Sequence, residues 1–305
     1  MDIVLIFNGL GNQMSQYAFY LAKKNRNKNC FAIYDTKSLN GHNGYELGRL
    51  FSINCDKGIM HWLFQIIYRI HNSGKLALFN KIFFNKFIHN VSEAKNYDYN
   101  PEFLNSYPAK GINYFWGGWH SEKNFLEVKD EVKNAFQFPR IDDERCLYYV
   151  DKISRTENSV SLHIRRGDYL NVKSDDFYQY NEVATPAYYK SAINIMNSKF
   201  GNCKFFVFSN DLEWCRKEFN NLDVYFVDCN IGKDSWRDMF LMTLCNHHII
   251  ANSTFSWWGA WLSNREGLTI CPERFLRTVE TKDFYPDRWV KISSEGDVVS
   301  CSINA

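Results

Sequence analysis

Residues 159–169 read SVSLHIRRGDY, and this stretch decides the fold. Its first part, residues 160–164, is a short apolar run of the kind that forms a buried β-strand. Two arginines and an aspartate follow at the point where that strand ends. Open α/β sheets bind ligands outside the carboxyl ends of their strands, so this junction is the first candidate site.

Downstream of this strand, runs of strand length alternate with runs of helix length. We predict a helix over Pro186–Phe200, with Thr185 as its N-cap and a proline in its first turn. The other predicted elements are a strand over 204–208, a helix from Leu212, a strand over 224–227, a helix over 236–245, a strand over 248–251, a helix from Ser256 and a strand over 268–271. This alternation predicts an α/β fold with a parallel sheet.

Upstream, the chain opens with a similar unit: a strand over 3–7, a glycine turn over 8–11 and a helix over 12–24. Residues 39–140 have weaker periodicity, so the order of their elements is not predicted. A length of 305 residues is typical of about two domains. We expect domains at 1–150 and 151–305, with the polar stretch 139–158 around the boundary and a last helix that could pack back on the first domain.

The charge balance excludes one class of partner. The chain has 36 Lys and Arg residues against 34 Asp and Glu residues, a formal net charge of +2. Proteins that bind nucleic acids carry a much larger excess of positive charge, so we expect no nucleic-acid partner. The aromatic content of 17% suits large cores and also the apolar faces of sugars, and composition does not separate these uses.

The cysteines and the amino terminus indicate a compartment. Nine cysteines are scattered without a Cys-x-x-Cys pair, so we interpret them as reduced core residues rather than disulfide partners or zinc ligands. The apolar run after Asp2 is too short for a signal peptide. We therefore expect a cytoplasmic protein.

No stretch approaches the ~20 apolar residues of a membrane-spanning helix. Between residues 59 and 89, bulky apolar residues are interleaved with Arg69, Lys75, Lys81 and Lys86. Core helices with basic outer faces are the plainer interpretation. Helices that lie on the inner face of the membrane, in peripheral contact with anionic lipid, are the alternative.

The turn after the first strand contains Gly9 and Gly11. Glycine lets backbone amides approach a ligand closely, and the start of the helix at Asn12 favours an anion. Met14 occupies the third glycine position of the dinucleotide pattern Gly-x-Gly-x-x-Gly, which argues against a nicotinamide- or flavin-dependent oxidoreductase. A purely structural turn is the alternative.

Arg165 and Arg166 lie just beyond the strand over 160–164. A guanidinium keeps its proton and presents a planar fork that matches phosphate oxygens, so this pair predicts a phosphate clamp. The alternative is a surface salt bridge to Asp168. His163 is either a core histidine or a catalytic one.

A third junction, Asn-Ser-Thr-Phe-Ser at 252–256, lies between a predicted strand and helix. Its hydroxyls and the free amides of the helix start predict a second anion site, whereas simple N-capping by Ser253 or Thr254 is the alternative. Asp238 lies on the preceding helix. Its carboxylate could accept the paired N–H donors of a purine such as guanine, or it could be an exposed helical side chain.

No metal-binding motif accompanies these junctions. The sequence contains no Asp-x-Asp, His-Glu-x-x-His or P-loop pattern. His247 and His248 are adjacent, and adjacent strand residues point to opposite faces, so we expect no shared metal there. We therefore expect arginines, rather than a metal ion or cofactor, to neutralise a bound phosphate.

Taken together, these motifs resemble those of the bacterial α-1,2-fucosyltransferases, inverting enzymes that transfer L-fucose from GDP-fucose to a galactoside. The likeness spans nearly the whole chain. Its segments are NGLGNQMSQYAFYLA (8–22), YELGRLFSI (45–53), GGWHSEKNF (117–125), HIRRGDY (163–169), FVFSNDLEW (206–214) and DMFLMTLCNHHIIANSTFSWWGAWL (238–262). The HxRRxD and NSTFSWWG elements are the most specific.

The resemblance implies a GT-B-like fold of two facing Rossmann-like domains with parallel sheets, and no metal. The C-terminal domain would hold GDP-fucose, and the N-terminal domain would mainly hold a galactose-terminated glycan. By position, Arg165 would be the catalytic residue, because it would hold the β-phosphate and stabilise the departing GDP. The other donor-binding residues that the resemblance implies are Gly11, Asn12, His163, Arg166, Asp238, Ser253, Thr254, Phe255 and Ser256.

The resemblance also implies acceptor contacts by Trp119, His120, Ser121 and Glu122. Position 120 is His where a GYWQSEK-like segment has Gln, which leaves the identity of the acceptor open. The implied reaction places fucose on the 2-hydroxyl of a terminal galactose by a single displacement. No carboxylate is named as the base: a salt bridge to an arginine would make Asp168 less basic, and Glu122 and His120 are unranked alternatives. Transfer to another hydroxyl, such as an α-1,6 linkage, and a non-catalytic carbohydrate-binding protein are the alternatives.

Overall fold

The computed structural model describes residues 1–34, 39, 42–55, 58–72, 87–105, 110–170 and 179–300, without the side chain of Asp168. The chain forms two compact units, Met1–Pro139 and Arg140–Ala305. Each unit contains a parallel sheet with helices, which confirms the predicted α/β class. The division precedes the expected boundary at 150/151, because the helix Glu144–Ser154 packs against a helix of the second unit.

The first unit is built on a four-stranded parallel sheet in the order β2-β1-β4-β3. Its strands are β1 (Asp2–Ile6), β2 (Cys30–Tyr34), β3 (Ile88–Ser92) and β4 (Ile112–Trp116). Its helices are α1 (Leu10–Arg26), α2 (Glu46–Phe51), α3 (Ile59–His71) and α4 (Lys129–Ala135), with 3₁₀ turns at Pro101–Phe103, Glu122–Asn124 and Leu126–Val128. Every residue of β1 is buried, as expected for a parallel strand that is covered on both faces.

The second unit is built on a seven-stranded sheet in the order β11-β10-β9-β8-β5-β6-β7. Its strands are β5 (Ser159–Ile164), β6 (Lys204–Ser209), β7 (Val224–Phe226), β8 (His247–Ile249), β9 (Thr269–Pro272), β10 (Val290–Ile292) and β11 (Val298–Ser300). Its helices are α5 (Glu144–Ser154), α6 (Gly167–Leu170), α7 (Pro186–Phe200), α8 (Leu212–Glu218), α9 (Trp236–Leu244) and α10 (Thr254–Trp261), with a 3₁₀ turn at Gly232–Asp234. Strand β11 is antiparallel to β10, and the other pairs are parallel.

The predicted elements of the second unit are confirmed with small shifts at their ends. Helix α7 has the predicted bounds, and the Thr185 side chain accepts the Tyr188 amide at 3.2 Å. Helix α10 begins two residues earlier than predicted, because Ser253 serves as its N-cap. Strands β10 and β11 were not predicted. The described residues end in β11, and the last helix expected to pack back on the first domain stays a prediction.

Helix α3 falls in the aromatic and basic region whose role the sequence left open. Only His61 and Phe64 of this helix are buried, whereas Ile59 and Trp62 are 74% and 60% exposed. Lys75, Lys81 and Lys86 lie outside the described residues. No helix in the described part of the chain has the length and apolarity to cross a membrane.

The cysteines that the structure describes carry no disulfide. Seven of these eight residues are buried and Cys229 is half-buried, in agreement with core packing, while Cys301 lies outside the described ranges.

Candidate functional site

The strand order of the second unit places two predicted junctions side by side. The chain runs from β5 to β6 and β7 on one side of the sheet and returns to form β8 and β9 on the other side. The direction of the strand order therefore changes between β5 and β8. Such a switch point opens a crevice at the carboxyl ends of the strands, where open α/β sheets bind ligands. The segment after β5 contains Arg165, and the segment after β8 contains 252–256.

Contacts between side chains join these two segments. The Tyr169 hydroxyl donates to the Asn252 carbonyl at 3.2 Å. The His163 and Phe255 rings lie 5.9 Å apart between centroids, with an interplanar angle of 37°. The structure therefore brings the HxRRxD and NSTFSWWG elements, which are distant in sequence, to one place.

Arg165 and Arg166 differ in their surroundings although they are adjacent. The Arg165 guanidinium lies 5.4 Å from the centre of the Tyr169 ring, at the crevice. Arg166 Nε lies 3.5 Å from an Asp211 carboxylate oxygen, and its guanidinium is 4.3 Å from the Trp214 ring centre. Arg166 is thus paired with an aspartate after β6, so the ion pair foreseen as an alternative involves Asp211. The Asp168 side chain lies outside the described set.

Asn210 fixes the backbone that carries these arginines. Its side-chain oxygen accepts the amides of Arg166 and Gly167 at 3.0 and 3.2 Å. Asn210 and Asp211 were not predicted as site residues, although both lie in the FVFSNDLEW segment directly after a predicted strand. Asn and Asp after a strand are the usual residues that bond backbone amides of turns and helix starts, and this signal could have identified them.

The start of α10 combines N-capping with a half-buried turn. Ser253 Oγ accepts the Phe255 amide at 3.3 Å, and Ser256 is fully buried with its hydroxyl 3.4 Å from the Ser253 carbonyl oxygen. The capping interpretation is therefore correct for Ser253, and Ser256 bonds back to its own turn. Thr254 and Phe255 remain half-buried. First-turn amides have no carbonyl partner within a helix, which suits an anion.

Asp238 lies on α9, which packs against α10. Its carboxylate accepts a hydrogen bond from the Asn230 amide at 2.7 Å, and the side chain is half-buried rather than exposed. Burial raises the pKa of Asp238 to about 7. A carboxylate in such a position can accept two N–H donors only when it is ionised.

In the first unit, the predicted glycine turn is partly helix. Helix α1 begins at Leu10, so Gly11 and Asn12 lie in its first turn, and Gly11 is buried. The Leu10 amide donates to the carboxylate of Glu46, so a side chain of the protein itself already lies at this helix start. Asn12 is half-buried and is the more accessible of the two predicted donor contacts.

Buried polar residues of α1 hold the loops around this turn. Gln13 donates to the carbonyls of Asn8 and Gly44 at 2.7 and 2.9 Å. Gln16 accepts the Phe7 amide at 2.9 Å and donates to the Gly117 carbonyl at 3.1 Å. Gln13 and Gln16 could have been identified from the sequence, because they are polar residues on the buried face of an amphipathic helix.

The four residues for which the resemblance implies acceptor contacts, 119–122, are all buried. Trp119 is 1% exposed and its ring stacks on Phe19, with centroids 4.1 Å apart. Ser121 is fully buried, and Glu122 is 8% exposed. Phe19 thus covers one face of the Trp119 ring in the core, and the acceptor contacts implied for these residues stay a prediction.

His120 is also buried, at 3% exposed. Its Nδ1 lies 3.0 Å from Ser15 Oγ. Burial lowers the pKa of His120 to about 3, so the ring is neutral at physiological pH.

Glu93 and Trp116 are two residues of this region that were not predicted from the sequence. Glu93 follows β3, and its Oε2 accepts the amides of Gly118 and Trp119 at 2.7 and 2.9 Å. These bonds hold Trp119 at a positive φ of 54°, which a residue with a Cβ rarely adopts. Burial raises the pKa of Glu93 to about 7. Trp116 ends β4 and is 49% exposed.

The described residues contain no group of three or more His, Cys, Asp or Glu side chains arranged to hold a metal ion. His247 Nδ1 accepts the Leu268 amide at 3.0 Å, and His248 Nδ1 lies 2.8 Å from Ser161 Oγ. The two imidazoles thus take part in separate contacts.

Comparison with known proteins identifies the family. The model of glycosyl transferase family 11 matches residues 3–293. The chain therefore belongs to glycosyl transferase family 11. Among the relatives of this family 11 chain, an "Alpha-1,2-colitosyltransferase" from Escherichia coli is 35% identical, over 96% of this chain and 99% of the relative.

The names of two further relatives refer to O-antigen biosynthesis and to an α-1,2 linkage. The "O-antigen biosynthesis glycosyltransferase WbnK" from Escherichia coli is 31% identical, over 93% of the family 11 chain and 98% of the relative. The "Galactoside alpha-(1,2)-fucosyltransferase 1" of Saimiri boliviensis boliviensis is 30% identical, over 47% of this chain and 40% of the relative.

Among solved structures, the crystal structure of the NodZ alpha-1,6-fucosyltransferase soaked with GDP-fucose is similar to this chain with a TM-score of 0.47 and 13% identity. The similarity covers 86% of this chain and 91% of the NodZ chain.

Proposed function

We propose that this family 11 glycosyltransferase transfers L-fucose from GDP-β-L-fucose to the 2-hydroxyl of a terminal galactose, with inversion to an α-1,2 linkage. The observation that carries the proposal is the second unit's switch point, where Arg165 and the start of α10 converge in a chain of this family. A positive fork and helix amides together suit a diphosphate.

In this proposal the donor is held by residues around that crevice. Arg165, with the amides of Thr254 and its neighbours, binds the diphosphate, and Arg166 supports the loop through Asp211. His163 and Phe255 lie against the nucleoside, since their rings line the same place. Asp238 accepts the guanine N–H donors.

The proposed chemistry is a single displacement through an oxocarbenium-like state. The acceptor hydroxyl oxygen attacks C1 of fucose on the face opposite GDP, and a new C–O bond forms. The bond between C1 and the β-phosphate oxygen breaks, and its electron pair leaves with GDP. The hydroxyl proton passes to a base or to water. Preorganised positive groups stabilise the charge that develops on the leaving diphosphate.

Among the candidate bases, His120 fits least, because its pKa of about 3 makes it a poor proton acceptor. Glu122 and Asp168 remain candidates, and an acceptor that attacks a cation-like centre needs only weak assistance from a base. We propose that no metal takes part, since the guanidinium of Arg165 and the helix amides supply the positive charge.

The donor sugar has a second candidate. The relative that is 35% identical over nearly its whole length is named a colitosyltransferase, and colitose is fucose without its 3-hydroxyl. A competition experiment with GDP-fucose and GDP-colitose distinguishes the two donors. A larger kcat/KM for GDP-fucose supports the proposal. A larger kcat/KM for GDP-colitose would identify colitose as the sugar that is transferred.

The decisive experiment incubates the purified protein with GDP-fucose and lactose, N-acetyllactosamine or a type 1 disaccharide, with and without EDTA. An α-1,2-fucosylated product, identified by NMR and formed at the same rate with the chelator, supports the proposal. An α-1,6 product changes the linkage, and loss of turnover with EDTA contradicts metal independence. A protein that binds glycans without binding GDP in calorimetry is a carbohydrate-binding protein instead.

We also propose that α3 contacts an anionic membrane surface. Ile59, Met60, Trp62 and Leu63 are 74, 42, 60 and 36% exposed, and together they form an apolar patch. The sequence from residue 58 to 92 contains four Lys or Arg residues and no Asp or Glu, which complements anionic lipid.

Co-sedimentation with phosphatidylglycerol vesicles tests this contact, with phosphatidylcholine vesicles for comparison. We expect preferential binding to the anionic vesicles, reduced by Trp62→Ala. The proposal is contradicted if neither the wild type nor Trp62→Ala binds either kind of vesicle. It is also contradicted if sedimentation velocity shows concentration-dependent dimers that Trp62→Ala dissociates.

A further inference from the structure

Phe7 and Trp116 form a stacked pair at the carboxyl edge of the first unit's sheet. Phe7 follows β1 and Trp116 ends β4, and these two strands are hydrogen-bonded neighbours. Their rings are nearly parallel, with an interplanar angle of 6° and centroids 5.3 Å apart. Phe7 is 8% exposed, whereas Trp116 is 49% exposed. One face of the indole is thus supported by the core while the side chain remains open to solvent.

The position of this pair in the sheet is that of a ligand site. The chain runs from β1 to β2 on one side of the sheet, whereas β4 and β3 lie on the other side. The strand order therefore changes direction between β1 and β4, as it does between β5 and β8 in the second unit. Ligands of open α/β sheets bind outside the strand ends at such a switch point. Trp116 is the exposed aromatic side chain at this point.

The backbone around Trp116 is fixed on both sides. The Glu93 amide donates to the Trp116 carbonyl at 3.0 Å, and the Glu93 carboxylate holds the amides of Gly118 and Trp119. The next carbonyl, that of Gly117, accepts a hydrogen bond from Gln16 at 3.1 Å. A side chain on such a backbone loses little conformational freedom when it binds a ligand, which favours affinity.

We infer that Trp116 is the platform on which a sugar ring of the acceptor stacks. This inference rests on the proposed function and moves the aromatic acceptor contact from the buried Trp119 to Trp116. A galactoside presents an apolar face of C–H groups and a polar rim of hydroxyls. The exposed indole matches the apolar face and leaves the hydroxyls in water. The platform therefore orients the terminal sugar without a direct bond to the reacting hydroxyl.

The test compares Trp116→Ala with Trp116→Phe and with Phe87→Ala, which removes another exposed aromatic side chain from the same unit, at the amino end of β3. For Trp116→Ala we expect the acceptor KM to rise about five- to tenfold, with kcat and the GDP-fucose KM within about twofold of wild type. We expect Trp116→Phe to retain most of the acceptor affinity because it keeps an aromatic face. Phe87→Ala should leave all three constants unchanged. Saturation-transfer difference NMR of the acceptor gives a binding readout without turnover.

The outcomes separate this inference from the proposed function. If the wild type transfers sugar and Trp116→Ala keeps its acceptor KM and NMR signal, the platform is overturned. An equal rise in the donor KM also overturns it, because the indole would then contact the donor. If the wild type transfers to no galactoside, the proposed function fails. In that case the NMR signal tests the Trp116 platform by itself. The platform is supported if glycan binding is lost in Trp116→Ala. It is overturned if no glycan binds, or if glycan binds equally well to the wild type and to Trp116→Ala. If Trp116→Ala does not fold, Trp116→Phe and Trp116→Leu provide the same comparison.

Discussion

At the scale of single residues, neighbours in sequence have different roles because they face different surroundings. Trp116 is half exposed at a strand end, whereas Trp119, three residues later, lies in the core against Phe19. Arg165 lies at the crevice, whereas Arg166 is paired with Asp211. The role of each of these side chains therefore depends on the residues that it contacts in the folded protein.

Arg165→Ala should lower kcat by roughly 10² to 10³, about 3 to 4 kcal/mol of transition-state stabilisation, while the protein stays folded. The reason is the loss of a fixed positive group beside the leaving diphosphate. Steady-state kinetics and circular dichroism measure both effects. Arg155→Ala is the matched control, because Arg155 is an exposed arginine paired with Asp151 on the surface of α5. Near-normal turnover of Arg165→Ala would remove Arg165 from the mechanism.

Asp238 should make GDP binding depend on pH. Its pKa of about 7 means that the carboxylate is lost as the pH falls from 8 to 6, so the affinity of the wild type should fall with it. Asp238→Asn should bind GDP more weakly at pH 8 and show a smaller change with pH. Calorimetry at pH 6, 7 and 8 measures this, and the comparison between proteins cancels the titration of GDP itself. Identical pH profiles for the two proteins would show that Asp238 does not read the base.

At the scale of elements, each functional segment follows a parallel strand, and the turns are shaped by close backbone contacts. The predicted alternation located α7, α8 and α9 well, because helix caps and apolar runs are local signals. Strands β3 and β4 escaped prediction because they lie in the region 39–140, whose periodicity is weak, and β2, just before that region, was not predicted either. The second unit's candidate site was therefore more predictable than that of the first.

Gly267, in the turn before β9, should tolerate no side chain. A Cβ at this position would overlap the carbonyl oxygen of Asn246, a backbone atom that leads into β8. We expect Gly267→Ala to lower the free energy of unfolding by about 3 kcal/mol or more, since the sheet beside the candidate site would have to shift.

The control for this change is Gly58→Ala, because a Cβ at Gly58 would meet nothing within 4 Å. Its effect should stay below about 1 kcal/mol, the range of an N-cap change at the start of α3. Urea denaturation measures both variants, and equal stabilities of the two would contradict the predicted clash.

At the scale of the whole molecule, buried titratable groups in both units should shape stability against pH. Burial raises the pKa of Glu93 from 4.5, and that of Asp238 from 3.8, to about 7, so each folded carboxyl holds its proton longer than the unfolded one. The contribution of these two carboxyls to the free energy of unfolding is present below about pH 4 and is lost as the pH rises through 7. The pKa values of His120 and His248 are lowered from 6.5 to about 3, so their contribution is present above pH 6.5 and is lost as the pH falls.

We therefore expect the two carboxyls to lower the melting temperature between pH 6.5 and 8. The unfolded-state histidines, whose pKa is 6.5, lose their remaining protons over the lower part of this range and partly oppose the fall. The loss should be roughly 1 kcal/mol for each carboxyl. Glu93→Gln should flatten this decline, whereas the exposed control Glu213→Gln should not. Melting curves at several pH values measure the effect, and parallel curves for all three proteins would refute it.

The sequence by itself determined the α/β class, most elements of the second unit and the strand-end residues of its crevice, because propensities, caps and apolar runs act over a few neighbouring residues. Only the tertiary structure decided which strands are neighbours, and hence that 163–166 meets 252–256 and that Phe7 meets Trp116. It also decided that Trp119 is buried and that Arg166 pairs with Asp211. Strand order and burial depend on contacts between residues far apart in the chain, and no local pattern encodes those contacts.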